Sequence, residues 1–131
     1  MNAALGRMVL DHVTANPRDL DMCVWAANGP CGTSACIAGW ALVMSGWEVA
    51  GDNVFRRPDG TEVDDGEVIA GEARTLLGLG VREFWRRAHG PDADEEDRCT
   101  VVSLFTVGNR EAVDWLRELV EAAEREVRRE P

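Results

Sequence analysis

Apolar side chains recur every three or four residues in three long stretches of this 131-residue chain. That spacing places them along one side of an α-helix, and it therefore predicts three amphipathic helices. Asn2, Asp65 (or its neighbour Asp64) and Asn109 begin these stretches. Each offers a side-chain oxygen that would cap the free backbone N–H groups of a first turn. The predicted helices cover 3–13, 65–78 and 109–127.

Two shorter segments carry weaker helical signals. Thr33 or Ser34 would cap a run of small and apolar residues that continues to Met44. Val81 would begin another short helix that carries Trp85 and ends before a polar, acid-rich stretch.

The remaining apolar segments have no helical period. Apolar residues alternate on both sides of Pro58-Asp59-Gly60, a strong turn signal, and predict one small β-hairpin. The run Cys99–Val107 is short enough to fit either a helix or a buried strand, and we favour a helix because acidic residues precede it. We therefore predict a mainly α (α+β) fold, a single compact helical domain of about five helices with one small β-hairpin, spanning 1–131.

Charge narrows the range of functions. The chain holds 24 acidic and 14 basic residues, a formal net charge of −10, and all of the basic residues are arginine. This balance opposes direct binding to nucleic acid, whose affinity rests on many cationic contacts with phosphates. The absence of lysine excludes Schiff-base chemistry. With neither a long apolar run nor a secretory leader pattern, we expect a cytoplasmic protein that does not enter membranes.

The strongest local concentration of charge lies in the sequence PDADEED. Five of its residues are acidic, and they would form either a solvated loop or a contact for a basic partner protein. Trp85 precedes them, and an exposed tryptophan beside them would be a binding hot spot. If the carboxylates lay along one face, they could also mimic nucleic acid. The acidic residues are Asp92, Asp94, Glu95, Glu96 and Asp97.

The segment 28–47, NGPCGTSACIAGWALVMSGW, contains two of the four cysteines. Cys31 would stand just before a helix, whose free N–H groups and dipole stabilise a thiolate. With His89 as base and Asp92 as the orienting group, Cys31 would be the nucleophile of a cysteine hydrolase or acyl transferase. Such sites place their histidine on a sheet, however, and no such sheet is predicted for His89.

The same cysteines permit two other kinds of site. Zinc sites pair ligands two to four residues apart, whereas Cys23, Cys31 and Cys36 are separated by eight and then five positions. We therefore expect no metal and no other cofactor. A Cys31–Cys36 disulfide would lock the loop to the helix, but a reducing cytosol keeps thiols free.

A purely structural interpretation accounts for most of this segment. Gly32 permits a backbone conformation that other residues resist, and Thr33 would cap the helix. Small residues such as Gly39 would let another backbone or an indole approach the helix closely. Cys36 would then be a small buried residue. The packing motif would consist of Cys31, Gly32, Thr33, Cys36, Gly39 and Trp40.

The strings CGTSACIAGWALV and ARTLLGLGVREFW, followed by an amphipathic last helix, resemble a family of small uncharacterised proteins from actinobacteria and their phages and plasmids. The similarity is close over Cys31–Ala41 and looser over 20–88, and the insert HGPDADEED departs from the family pattern. The resemblance implies no established activity.

From the residues themselves we expect an acidic interaction or regulatory protein that binds another protein, one with a basic surface, and performs no catalysis. The alternative is the thiol-dependent enzyme with Cys31 as nucleophile. The two hypotheses differ in one requirement, because only the enzyme needs an exposed Cys31 close to an imidazole.

Overall fold

The computed structural model describes residues 1–29, 32–87 and 101–129. In those ranges the chain forms five α-helices, one 3-10 turn and seven short strands. The helices are α1 (Ala3–Ala15), α2 (Ile37–Val43), α3 (Gly66–Leu77), α4 (Val81–Phe84) and α5 (Asn109–Arg129), and the 3-10 turn is Pro17–Asp19. The strands are β1 (Ala26–Gly29), β2 (Gly32–Ala35), β3 (Glu48–Gly51), β4 (Val54–Arg56), β5 (Glu62–Val63), β6 (Trp85–Arg87) and β7 (Val101–Ser103).

The predicted fold class is wrong in its β content. Where one hairpin was expected, the described residues form three separate antiparallel sheets, ordered β1-β2, β3-β4-β5 and β6-β7. The protein is therefore a mixed α+β structure. The physical reason is that each strand has only two to four residues. Such a strand is stabilised by its partner strand, and so few residues cannot establish a period of two.

The three longest helices were located correctly, because their signals are local. The Asn2 side chain accepts a hydrogen bond from Leu5 N at 3.1 Å and so caps α1. Asp65 caps α3 in the same way. Gly78 ends α3 with φ +64°, a left-handed conformation that costs glycine little. The turn at Pro58-Asp59-Gly60 joins β4 to β5, and β3 adds a third strand to the predicted hairpin.

The helix expected after Thr33 begins later than predicted. Thr33 and Ser34 belong to β2, which pairs with β1 in the register Ala26↔Ala35. Strand pairing thus holds the two predicted caps in extended backbone. Cys36 is the residue that caps α2.

Three predictions near the carboxyl-terminal part are also wrong. Trp85 lies in β6, and the run that we favoured as a helix contains β7, which pairs with β6 in the register Trp85↔Ser103. Asn109 is the first residue of α5, and its side chain does not cap that helix. It instead donates to Leu20 O at 3.0 Å and accepts from Met22 N at 2.8 Å, joining α5 to the segment after the 3-10 turn.

The core lies where α1 contacts α5 and α2 contacts α3. Its aliphatic residues share the core with Trp115, whose ring is buried. The indole Nε1 of Trp115 donates to Glu83 O at 3.0 Å. That bond satisfies the indole N–H, which would otherwise be costly to bury. The largest fully buried aliphatic side chains are Leu10, Ile37, Leu42, Ile69, Leu77, Leu104 and Leu116. Among the described helices, none combines the length and apolar character that crossing a bilayer requires.

An ion pair fastens α1 to α5 at the surface. Arg7 Nε donates to Glu124 Oε2 at 3.1 Å, and Nη2 of the same guanidinium donates to Oε1. These bonds lower the pKa of Glu124 below its usual value of 4.5. Glu124 therefore bonds across helices, although Arg128 lies one turn farther along its own helix.

The pH dependence of stability tests this pair. A carboxylate whose pKa is lowered by folding stabilises the protein above its unfolded pKa, and that contribution is lost as the pH falls through the folded pKa. We expect Glu124→Gln to be less stable than the wild type at pH 7, with the difference vanishing at pH values well below 4.5. Urea denaturation across this range measures the effect. Glu121→Gln, on the same helix, controls for losing one charge, and an unchanging difference down to pH 2 would contradict the assignment.

Candidate functional site

The start of α2 is built around the thiol of Cys36. Its Sγ accepts a hydrogen bond from Gly39 N at 3.4 Å, the position that an oxygen occupies in a common helix cap. The thiol donates in turn to Trp25 O at 3.8 Å, within the range of a weak sulfur hydrogen bond. Cys36 thereby connects the segment before β1 to the first turn of α2.

Two opposing effects act on the acidity of Cys36. A helix amino terminus favours a thiolate, and backbone N–H groups of the first turn do lower the pKa. Burial acts in the other direction and is the larger effect, since the side chain is only 2% exposed. Together they raise the pKa to about 11. The thiol is therefore neutral at pH 7 and is a poor nucleophile.

Gly39 allows close backbone contact between α2 and the segment before β1. A Cβ atom at Gly39 would overlap the carbonyl oxygen of Trp25 and would lie 2.8 Å from the Cβ of Ala35. Only a residue without a side chain lets the carbonyl of Trp25 lie against α2. The backbone N of Trp25 is held from the other side, where it donates to Asn53 Oδ1 at 2.7 Å.

Trp40 connects α2 to the 3-10 turn. Its Nε1 donates to Asp19 O at 2.8 Å, and the indole ring lies 4.2 Å from the ring of His12, centroid to centroid. Nε2 of His12 is 3.1 Å from Asp19 Oδ2 but lacks the alignment of a hydrogen bond. His12 is thus a boundary residue that packs on Trp40.

A cavity of about 380 Å³ opens beside Cys36. Cys23, Trp25 and Phe105 also line it, and Cys23 is exposed. Apart from the two thiols, none of the lining side chains is an acid or a base. Over the described ranges no group of three histidine, cysteine or acidic side chains is placed to hold a metal ion. The lining residues therefore lack the acid or base that thiol catalysis needs for proton transfer.

The three residues proposed for catalysis, Cys31, His89 and Asp92, lie outside the described residues. The residues flanking Cys31 show whether a helix begins close enough to activate its thiol. Gly29 and Gly32 are paired in the β1–β2 hairpin, and α2 begins only at Ile37. The expected helix start directly after Cys31 is therefore wrong. The dipole that was to activate Cys31 acts at Cys36.

The rest of the packing motif lies partly in the hairpin. Gly32 has φ +111°, and the Thr33 hydroxyl donates to Asn28 Oδ1 at 2.7 Å, within the β1–β2 pair. Asn53, which holds Trp25, is not among the residues that the sequence patterns singled out. Its φ of +59° is a conformation that asparagine tolerates better than most residues, so the sequence Gly-Asp-Asn contained a usable turn signal.

Trp85 is the described member of the predicted partner-binding set. Its side chain is 43% exposed on β6, and Val81, one helical turn earlier in the chain, is 67% exposed. Arg86 points elsewhere, because its guanidinium lies over the ring of Trp115 and pairs with Glu118 at 2.9 Å. The other members lie outside the described residues: Asp92, Asp94, Glu95, Glu96 and Asp97.

No protein-family model matches the chain, and neither a curated protein nor a solved structure is significantly similar to it. What the site can do must therefore follow from its own residues.

Replacing Gly39 tests the contact with Trp25. Gly39→Ala should destabilise the fold by about 3 kcal/mol or more, because the new methyl group meets a carbonyl oxygen held in place on both sides. Gly71→Ala in α3 is the matched control. Its Cβ would enter open space, so this variant should gain about 0.5–1 kcal/mol. Urea denaturation measures both variants, and equal effects would disprove the close contact.

Alkylation tests the state of the two described thiols. At pH 8, iodoacetamide should modify the exposed Cys23 and leave Cys36 intact, because burial shields Cys36 and its pKa of about 11 keeps it protonated. Cys36 should react only after unfolding in guanidinium chloride, as followed by peptide mass spectrometry. Labelling of Cys36 in the folded protein at the rate of Cys23 would contradict its assignment as an inert cap.

Proposed function

We propose that this protein acts by binding another protein with a basic surface, performs no catalysis, and works in the cytoplasm. The proposed contact region consists of Trp85 and the acidic residues Asp92, Asp94, Glu95, Glu96 and Asp97. The observation that carries the proposal is the exposed indole of Trp85 on β6.

An exposed tryptophan supports a binding role on energetic grounds. Trp85 leaves 43% of its area exposed, and tryptophan is enriched among the hot spots of protein interfaces. Trp115, for comparison, is buried and has its N–H satisfied. Val81 lies close in the chain and adds apolar surface next to Trp85.

The chain topology supports the link between Trp85 and the acidic residues. Arg87 is paired with Val101 at the end of the β6–β7 hairpin. The segment 88–100 therefore leaves and re-enters the described structure at one place, two residues from Trp85. A net charge of −10 would speed encounter with a basic partner.

The thiols fit the proposed location. Within the described residues neither Cys23 nor Cys36 forms a disulfide, the state that a reducing compartment maintains. Cys36 itself is no candidate nucleophile, because a catalytic thiol needs a lowered pKa or an adjacent base.

Site-specific photocrosslinking tests the proposal. A photoreactive amino acid at position 85, in protein produced in its native cells, should give one dominant adduct whose crosslinked peptides are rich in arginine or lysine. Neutralising the five acids by Asp→Asn and Glu→Gln should lower the yield about tenfold, because each charge pair at an interface rim contributes a few tenths of a kcal/mol.

A photoreactive residue at position 68 is the control. Val68 is 38% exposed, close to the exposure of Trp85, but it lies on α3. The same adduct from both positions, or a yield indifferent to the five acids, would reject the proposed contact region.

A further inference from the structure

A second surface, unrelated to Trp85, has the form of a ligand site. A groove of about 490 Å³ runs between the end of α1, the 3-10 turn and the first two turns of α5. Its volume lies in the range of small-molecule sites, about 300–1,000 Å³. Most of its surface is apolar.

The floor of the groove is apolar and firmly held. Val13 and Leu20 line it with side chains that are almost fully buried, and Val113 of α5 faces them. The two hydrogen bonds of Asn109 fix the segment after the 3-10 turn against α5, and one of them ends on Leu20 O itself. The concavity therefore exists before any ligand arrives, which lowers the entropy cost of binding.

The rim is cationic, unlike most of this chain. Arg110 and Arg117 line the groove from positions two turns apart on α5, about 10.5 Å along the helix axis. Arg117 forms an ion pair with Asp114 at 3.3 Å, whereas Arg110 forms no ion pair within the described part of the chain. Two guanidinium groups against one carboxylate leave a local positive charge.

The net charge of −10 does not cancel this local charge. Exposed charges farther away than about 8 Å are largely screened at physiological ionic strength, whereas a carboxylate in the groove would meet a guanidinium directly. Arginine also binds carboxylates through two parallel N–H donors, an arrangement with both strength and direction.

We propose that this groove binds a small carboxylate with an apolar body, an acyl chain whose carboxylate pairs with Arg110 and whose hydrocarbon lies on Val13, Leu20 and Val113. The apolar floor selects the chain, and the arginines select the charge. The inference stands apart from the proposed function, because none of the residues lining the groove belongs to the Trp85 surface.

Octanoate is the probe that tests the groove. Titrated into the ¹⁵N-labelled protein, it should shift the amide signals of Val13, Leu20 and Val113 in a saturable manner. Octanol, which has the same chain without the charge, should bind about tenfold more weakly, because it lacks the carboxylate that pairs with Arg110. Arg110→Gln should weaken octanoate by a similar factor and leave octanol unchanged.

The matched control is Arg82→Gln, which removes an exposed arginine from α4, outside the groove. It should bind octanoate like the wild type. No saturable shift, equal binding of octanoate and octanol, or equal losses in the two arginine variants would each overturn the proposal. Thermal unfolding of both variants without ligand excludes a loss of fold as the cause.

Discussion

The carbonyl group of Trp25, lying against the first turn of α2, is the contact on which the arrangement of the first half of the chain depends. It accepts from the Cys36 thiol and takes the space that a side chain on Gly39 would fill. Asn53 holds the same peptide segment from the next sheet. One backbone position thus brings together β1, the turn after β3 and α2. The cap formed by Cys36 and Gly39 restricts the relative movement of these three elements.

Burial at the same contact explains why Cys36, although it lies at a helix amino terminus, is unreactive. The helix dipole is worth about 0.3–1 kcal/mol at a surface and at most about 2 kcal/mol when partly buried. Withdrawing a charged group from water costs several kcal/mol. Because Cys36 is buried, desolvation outweighs the dipole, and its neutral thiol serves as donor and acceptor.

Charge is unevenly distributed along the chain. Five of the 24 acidic residues belong to the segment that connects β6 to β7 in the sequence, while α5 offers two arginines to the apolar groove at its amino-terminal end. Elsewhere the arginines fasten elements together, as Arg7 does for α1 and α5 and Arg86 does for β6 and α5. Each of these two arginines pairs with an acidic residue of α5.

The sequence by itself determined α1, α3 and α5, the caps at Asn2 and Asp65, and the end of α3 at Gly78, because helical period and capping are decided by residues within one or two turns. It also directed attention to the small residues around Cys36. Only the tertiary structure decided that 32–35, 85–87 and 101–103 are strands, that Cys36 caps α2, and that the side chain of Asn109 reaches Leu20 and Met22. Strand pairing and burial join residues far apart in the chain, and their energies exceed the weak local preferences that a short segment carries.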